Sequence, residues 1–314
     1  MKIKISIVAA LVALMATGAM ASNFRSADIV YVPVAGKTLG ANSAFFLTDA
    51  FISNVNAVSV DVWVAFAQAG QNNAGAPAAA TKLTTALAAN ERREIRDIMG
   101  AVFGVTDQEA QSGQGVIGHL LFFSCRTGGN CDECVDNPDC LPITVETRTF
   151  NRLPDGSTFG VTVPGLPWYN YVSPDAADRN LDEVFIVGIR QDAEFRTNVG
   201  LVNASQFSNA TLRLRLFNAN GTQFGSTVDR TLPPLGFEQP NVASLFPGFT
   251  GSGAWLTVEQ LPLSSGSDPG FFAFATLTDN RTNDPTWLES QYIPQLDFNC
   301  VYGAKPQRRP VDHP

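Results

Sequence analysis

"FLTDAFISNVNAVSVDVWVAF" runs from Phe46 to Phe66. Val58, Val60, Val62, Val64 and Phe66 fall on every second position, the period that sets one face of a strand on a core and the other in solvent. The same stretch returns as "FRTNVGLVNASQFSNATLRLRLF" from Phe195 to Phe217, with Leu212, Leu214 and Leu216 alternating in turn. Thr48, Asp49 and Asn54 match Thr197, Asn198 and Asn203. Further on, "TRTFN" (Thr147 to Asn151) matches "TLTDN" (Thr276 to Asn280), and the apolar turns "DIMGAVFG" and "NVASLFPG" occupy corresponding places. Repetition of whole strand-and-turn units signals a duplicated module.

Working outward, "LLFFSC", "EVFIVGI" and "GFFAFATL" are continuous apolar runs between turn signals, as in strands buried on both faces. Asn220-Gly221, directly after "TLRLRLF", is a hairpin signal. One segment breaks the pattern. In "EIRDIMGAVFG", Ile95, Ile98, Met99, Val102 and Phe103 fall at helical spacing, with Gly104 as the stop. The expected fold is therefore all-β: two tandem β-sandwich, Ig-like domains from an internal duplication, with one short helix in the first. The expected division is a signal peptide over 1–21, a first domain over 22–165 carrying a cysteine-rich loop, a linker over 166–183, a second domain over 184–302, and a flexible tail over 303–314.

The leader reading rests on Lys2 and Lys4, an apolar run from Ile5 to about Ala16, and the small-x-small triplet Ala19-Met20-Ala21. Its removal takes two lysines and moves the formal charge from −8 to −10. That sign argues against nucleic acid as a partner, and no later apolar run is long enough for membrane insertion after signal cleavage. The expected location is secreted, periplasmic or extracellular. Only 16% of residues are charged and 22 are Phe, so the chain can build sizeable cores.

"IVYVPVAGKTLGANSAFFLTD", "RQDAEFRTNVGLVN", "LPPLGFEQ" and "TLTDNRTNDPTWL" resemble a family of exported bacterial proteins in which one module occurs in tandem, alone or appended to larger secreted proteins. The resemblance covers most of the mature chain, and "RTNVGLVN" and "DNRTNDP" are its most specific strings. It implies a β-sandwich-like module working outside the cell and carries no catalytic residues across. This chain departs from it by the insertion "QAGQNNAGAPAAATK" and by the cysteine loop, both in the first half.

That loop, "CRTGGNCDECVDNPDC", holds four of the five cysteines at C-x5-C-x2-C-x5-C spacing. Zinc sites favour two C-x2-C knuckles a dozen or more residues apart, and only "CDEC" has that form. A redox C-x-x-C would open a helix after a strand, whereas Asp132 and Glu133 between the sulfurs disfavour a thiolate. In an oxidising compartment the cluster reads as a disulfide staple. Three pairings are open to four cysteines; the expected one joins Cys125 to Cys140 and Cys131 to Cys134. A closed loop of about 15 residues adds about 3 kcal/mol on the chain-entropy account. Cys300 is left over.

Candidate chemistry is sparse. The histidines are His119, inside a strand, and His313 in the tail, and there is no G-x-S-x-G elbow, H-E-x-x-H or phosphate loop. No cofactor is expected, with calcium the one considered. Its candidates are Asp175, Asp178, Asp182 and Glu183, with Asp132, Asp136 and Asp139 in the cysteine loop, set against ordinary solvated acidic loops. Trp168, Tyr169 and Tyr171 are candidates for ligand binding as a sugar platform, set against a wedge packed between domains. The repeated Thr197, Asn198 and Asn203, with Asn280 and Thr282, could line a polar groove or bond their own backbone.

The functional expectation is a non-catalytic exported binding or surface-structural protein that recognises an extracellular polysaccharide or other polymer, or a cell-surface protein or other component. One alternative is a histidine-free carbohydrate-active enzyme using paired carboxylates. Another is a self-assembling subunit of a surface layer or appendage.

Overall fold

The computed structural model describes residues 26–131, 137–173, 183–264 and 269–291. The leader, Cys134, Asp132, Asp136, Asp175, Asp178, Asp182, Cys300, His313 and the tail lie outside the described residues. The chain is mostly strand, as the period-two pattern requires. The first half carries β1 (Ile29–Leu39), β2 (Phe45–Asn54), β3 (Val60–Gln68), β4 (Thr81–Lys82), β5 (Arg92–Ile95), β6 (Val116–Arg126), β7 (Ile143–Arg152), β8 (Thr158–Pro164) and β9 (Leu166–Pro167). The second carries β10 (Glu183–Gln191), β11 (Phe195–Asn203), β12 (Ala210–Phe217), β13 (Gln223–Leu232), β14 (Phe237–Glu238), β15 (Gly251–Gln260), β16 (Phe271–Asp279) and β17 (Pro285–Glu289).

The duplication is visible strand for strand. One layer of the first half is ordered β4-β3-β6-β1, and its counterpart in the second is β13-β12-β15-β10. The other layers are β5-β2-β7-β8 and β14-β11-β16-β17, and every pairing is antiparallel. In the first half the two layers are continuous, because Thr38 and Leu39 at the end of β1 pair with Phe46 and Phe45 of β2. The Ile98–Phe103 helix (α1) forms where its spacing places it, burying Ile98 and Met99 and ending at Gly104, whose φ of 75° is the left-handed cap that glycine adopts without cost. Ile95 belongs instead to β5. A four-residue helix, Val242–Leu245 (α2), fills the corresponding place in the second half, so the helix is duplicated too. The Asn220-Gly221 turn joins β12 to β13, with Gly221 at φ 85°.

The repeated polar residues hold equivalent joints. Thr48 Oγ1 accepts from the Gly36 amide at 3.0 Å and donates to the Gly36 carbonyl at 3.1 Å. Thr197 Oγ1 does the same with Arg190, at 3.1 and 2.6 Å. In the second half this bond ties β11 to β10, strands of opposite layers. Asn54 Nδ2 donates to the carbonyls of Val58, Leu87 and Ala88, while its Oδ1 accepts from the Asn56 amide. Asn203 Nδ2 donates to Ser208, Leu232 and Pro233, and its Oδ1 accepts from the Ser205 amide. Asp49 takes the amide of Asp97, the residue capping α1, and Asn198 takes the side chain of Asn241, which caps α2. These residues satisfy backbone groups that the crossings between layers leave without ladder partners.

The "TRTFN" and "TLTDN" strings do not superpose in the ladders. Thr48 faces Thr149, whereas Thr197 faces Leu277 and Thr278 falls opposite Arg196. A slip of one residue exchanges the faces of a strand. Thr276 and Thr278 therefore share a face with Asn198 and Arg196 rather than with Thr197.

The two halves are packed on each other. Along β16, Phe271, Ala273 and Ala275 enter the core of the second sandwich, while Phe272 and Phe274 join the core of the first. Val202 of β11 and Phe237 of β14 join them there. A sheet covered on both sides explains the unbroken apolar run "GFFAFATL". Tyr31 lies 5.2 Å from Phe272 by ring centroids, and its hydroxyl donates to the Ala204 carbonyl at 2.9 Å. The "QAGQNNAGAPAAATK" insertion clasps the second half: the Gly70 and Asn73 amides donate to the carbonyls of Phe237 and Pro234. The segment after β8 is held at both ends, since β9 pairs with β1 and Val172 bridges Phe271.

Candidate functional site

A cleft of about 550 Å³ opens where the two halves meet. Its floor follows from period-two alternation. On β11, Arg196, Asn198, Gly200 and Val202 share the outward face, and on β16 their direct partners are Thr278, Thr276, Phe274 and Phe272. The apolar end of this face is sealed against the first half, through Phe272, Phe274 and Val202. The polar end stays open and lines the cleft with Arg196, Asn198, Thr276 and Thr278, joined by Gln239 and Asn241. The facing wall comes from β1 and its following turn, with Phe46, Thr149, Val161 and Val163.

The matching face of the first half offers no such floor. Leu47, which stands where Arg196 stands in the repeat, is 2% exposed and packs with Phe45, Phe150 and Ala110. The first half thus plugs with its own chain the face that the second half leaves polar.

Arg196 is held from behind by two amide oxygens, Nη1 to Asn280 Oδ1 and Nη2 to Asn283 Oδ1, each at 2.8 Å. Burial pulls its pKa below the usual guanidinium value, with the Asp279 charge opposing. An arginine stays protonated regardless. Asp279 spends its carboxylate on the turn amides of Arg281 and Thr282. Gln239 Nε2 donates to Thr276 Oγ1 at 3.3 Å, and Asn241 Nδ2 to Asn198 Oδ1 at 3.1 Å. Among the described residues the cleft lining contains no carboxylate, imidazole or thiol, and Arg196 is its one charged group.

Of the residues singled out in the sequence, Asn198 lines the cleft and Asn280 accepts from Arg196 there; the others lie elsewhere. Trp168 is 43% exposed, with its indole N–H on Asp28 Oδ1, and Tyr169 meets it edge-on at 5.7 Å while donating to the Ser26 carbonyl. The Tyr171 ring lies against Gly270 of the second half, so tightly that a Cβ there would sit 2.4 Å from it. Of the three, only Trp168 presents a largely open surface. Thr197 and Asn203 are fully buried in the joints described above, and Thr282 accepts from the Asp284 amide in a turn. Of the calcium candidates, Glu183 accepts from Arg215 at 3.3 Å and Asp139 from Arg126 Nε at 3.0 Å. Among the described residues no cluster of three or more His, Cys, Asp or Glu is arranged to hold a metal.

The expected cysteine pairing is corrected. Cys125 is bonded to Cys131, with Cα atoms 5.9 Å apart, which excludes both Cys125 with Cys140 and Cys131 with Cys134. The turn at Gly128 and Gly129 folds the chain back at once, with the Gly129 amide on the Arg126 carbonyl, and brings Cys131 to Cys125. Cys140 is also disulfide-bonded. Six residues of separation close a small loop, so this bridge adds less than the ~3 kcal/mol of a 15-residue loop.

His119 is completely buried between the halves, 6.1 Å from the Tyr31 ring and 6.4 Å from Phe237. Neither ring nitrogen has a hydrogen-bond partner, and desolvation depresses its pKa to about 3. Lys37, 3% exposed, meets Asp97 at 2.6 Å and Asp107 at 2.7 Å. Burial alone would lower its pKa; the hydrogen bonds to Asp107 and Asp97 outweigh that and hold it above the ordinary value. The Lys37–Asp97 pair anchors α1 to β1.

Arg196, Gln239, Asn241, Thr276 and Thr278 were not singled out as a group from the sequence. The available signal was the alternation within "RTNVGLVN", which sets Arg196 and Asn198 on the face opposite Thr197. No helix of the described residues is long and apolar enough to cross a membrane. Neither the family models nor the curated proteins compared with the chain yield a match.

Proposed function

We propose that this is a non-catalytic exported binding protein that takes part of an extracellular polymer or cell-surface component into the cleft between its halves. The observation that carries this reading is the lining: amides, hydroxyls and one guanidinium over an apolar wall, in a cavity of about 550 Å³. Ligand sites are concave, mostly apolar and fitted with a few convergent polar groups. General acid–base or nucleophilic catalysis needs a carboxylate, imidazole, thiol or activated hydroxyl within reach of the substrate, and Arg196 supplies none of these roles.

The test is co-sedimentation of the mature, oxidised protein with insoluble polysaccharides and bacterial cell envelopes, with calcium or with chelator. Ala41 is exposed and lines the cleft, so Ala41→Trp should block it without disturbing a core. Retention by a polymer that Ala41→Trp abolishes supports the reading. Retention that the variant leaves intact places binding elsewhere, and no retention on any polymer counts against it. Loss with chelator would bring calcium into the interaction.

A further inference from the structure

We propose that the cleft binds an acidic saccharide, its carboxylate on Arg196 and its hydroxyls on Asn198, Gln239, Thr276 and Thr278, an inference that rests on reading the cleft as the ligand site. Three observations carry it.

The first is charge. Among the described residues Arg196 is the one charged side chain of the lining, and it donates to the neutral amide oxygens of Asn280 and Asn283. Two of its five N–H donors are engaged in this way, and the bonds fix the plane of the guanidinium. A planar fork fixed in place is suited to accept a carboxylate through two parallel bonds. The nearby Asp279 charge acts on Arg196, but that carboxylate is spent on the turn amides of Arg281 and Thr282, and the cleft lining among the described residues holds no anion of its own.

The second is the polar array beside it. Arg196 and Thr278 are direct cross-strand partners, and Asn198 and Thr276 are the next pair on the same face. Among the described residues Asn198 Nδ2 and Gln239 Oε1 have no hydrogen-bond partner, leaving an NH2 group with two donors and one acceptor oxygen next to the guanidinium. Alternating donors and acceptors match vicinal hydroxyls, each of which does both.

The third excludes an extended peptide as the better occupant. Strand-like peptides bind by adding to an unpaired sheet edge. β11 lies between β14 and β16, and β16 lies between β11 and β17, so the backbone of this floor is already paired. What remains for a ligand is side chains alone.

The experiment is calorimetric titration of the intact, oxidised protein with trimers of galacturonate, glucuronate and mannuronate, their methyl esters, a neutral galactose trimer, inorganic sulfate and an acidic peptide. The expected result is that one uronate trimer binds at least about tenfold more tightly than its ester and the neutral trimer, and that salt weakens it. Arg196→Met should cost about tenfold or more, with Arg196→Lys between the two, and Asn198→Leu should weaken the acid and the ester alike. Unchanged melting of each variant shows that the fold is retained.

Neutral and acidic trimers binding equally, with Ala41→Trp still abolishing both, would overturn the charge assignment and leave the cleft reading standing. Sulfate as effective as the uronates, or the acidic peptide binding more tightly, would overturn the saccharide assignment. No titration by any trimer, with polymer retention still lost in Ala41→Trp, would sink this inference alone; loss of both results would sink the two together.

Discussion

Asn73 Nδ2 donates to the carbonyl of Leu235 at 3.0 Å, across 162 residues of sequence. The same amide also donates to the carbonyls of Gln68 and Gln71, and its Oδ1 accepts from the Gln68 amide. One side chain therefore both shapes the insertion and fastens it to the second half. The cleft exists only while the halves keep this placement, so the clasp is a condition of the site.

Asn73→Ala should leave buried carbonyls unpaired and cost about 1–3 kcal/mol. At about 2–4 °C of melting temperature per kcal/mol for a chain of this size class, differential scanning calorimetry will resolve it. The wild type should unfold in one transition, and the variant should melt earlier or split into two. An unchanged single transition would show that the clasp does not hold the halves together.

Asn54 and Asn203 make four equivalent bonds in the two halves, to which Asn54 adds one from Asn56 Nδ2, and each is almost fully buried. Asn54→Ala and Asn203→Ala should therefore cost similar amounts, about 2–3 kcal/mol each. Having no partner in common, they should combine additively in the double variant. Urea unfolding of the four proteins tests this; a cost confined to one of the two would mean the joints are not equivalent.

Much of the fold was legible because period-two alternation and the repeated Thr, Asx and Asn reflect local demands: a buried face, and unpaired backbone at a crossing. Val60, Val62 and Val64 are fully buried where the alternation placed them. The cleft was not legible, because it depends on a one-residue slip that turns Thr276 and Thr278 outward and on docking that brings Phe46 opposite Arg196. Neither leaves a mark on residue spacing. The cysteine pairing failed for a related reason: a tight turn at Gly128 decided it, and four cysteines within sixteen residues permit several closures.

His119 links the interface to pH. Its folded pKa, about 3, lies below the ordinary 6.5. Above pH 6.5 both states are neutral there and the residue contributes nothing to the pH dependence. As pH falls below 6.5 the unfolded chain takes a proton that the folded one does not, so stability drops by up to about 1.4 kcal/mol per pH unit until about pH 3. Replacing a buried, unpaired polar group by an apolar one is neutral or stabilising, so His119→Leu should flatten the dependence between pH 6 and 4. Parallel urea-denaturation curves for the two proteins across that range would count against the assignment.

Peptide mapping without reduction should recover Cys125 and Cys131 in one linked species. Cys131→Ser should lower stability by less than ~3 kcal/mol, because the loop that the bridge closes is short. Recovery of Cys125 linked to Cys140 would contradict the structure.

Gly200 marks the boundary between the sealed and open parts of the β11–β16 face. A Cβ at this position would lie 2.0 Å from the Phe274 ring, and that ring stacks on Trp287 at 4.5 Å with an interplanar angle of 15°. Gly200→Ala must therefore push Phe274 off its seat, with loss of the stack and of part of the seal between the halves. Overpacking of this kind costs about 1–3 kcal/mol. Because Trp287 reports on the displaced ring, its fluorescence should shift in the folded variant, and the cleft, one residue pair away, should lose affinity for any ligand found to occupy it. A variant with wild-type melting and an unshifted spectrum would mean that Phe274 does not pack across Gly200. The polar floor would then lack the apolar seal that this packing supplies.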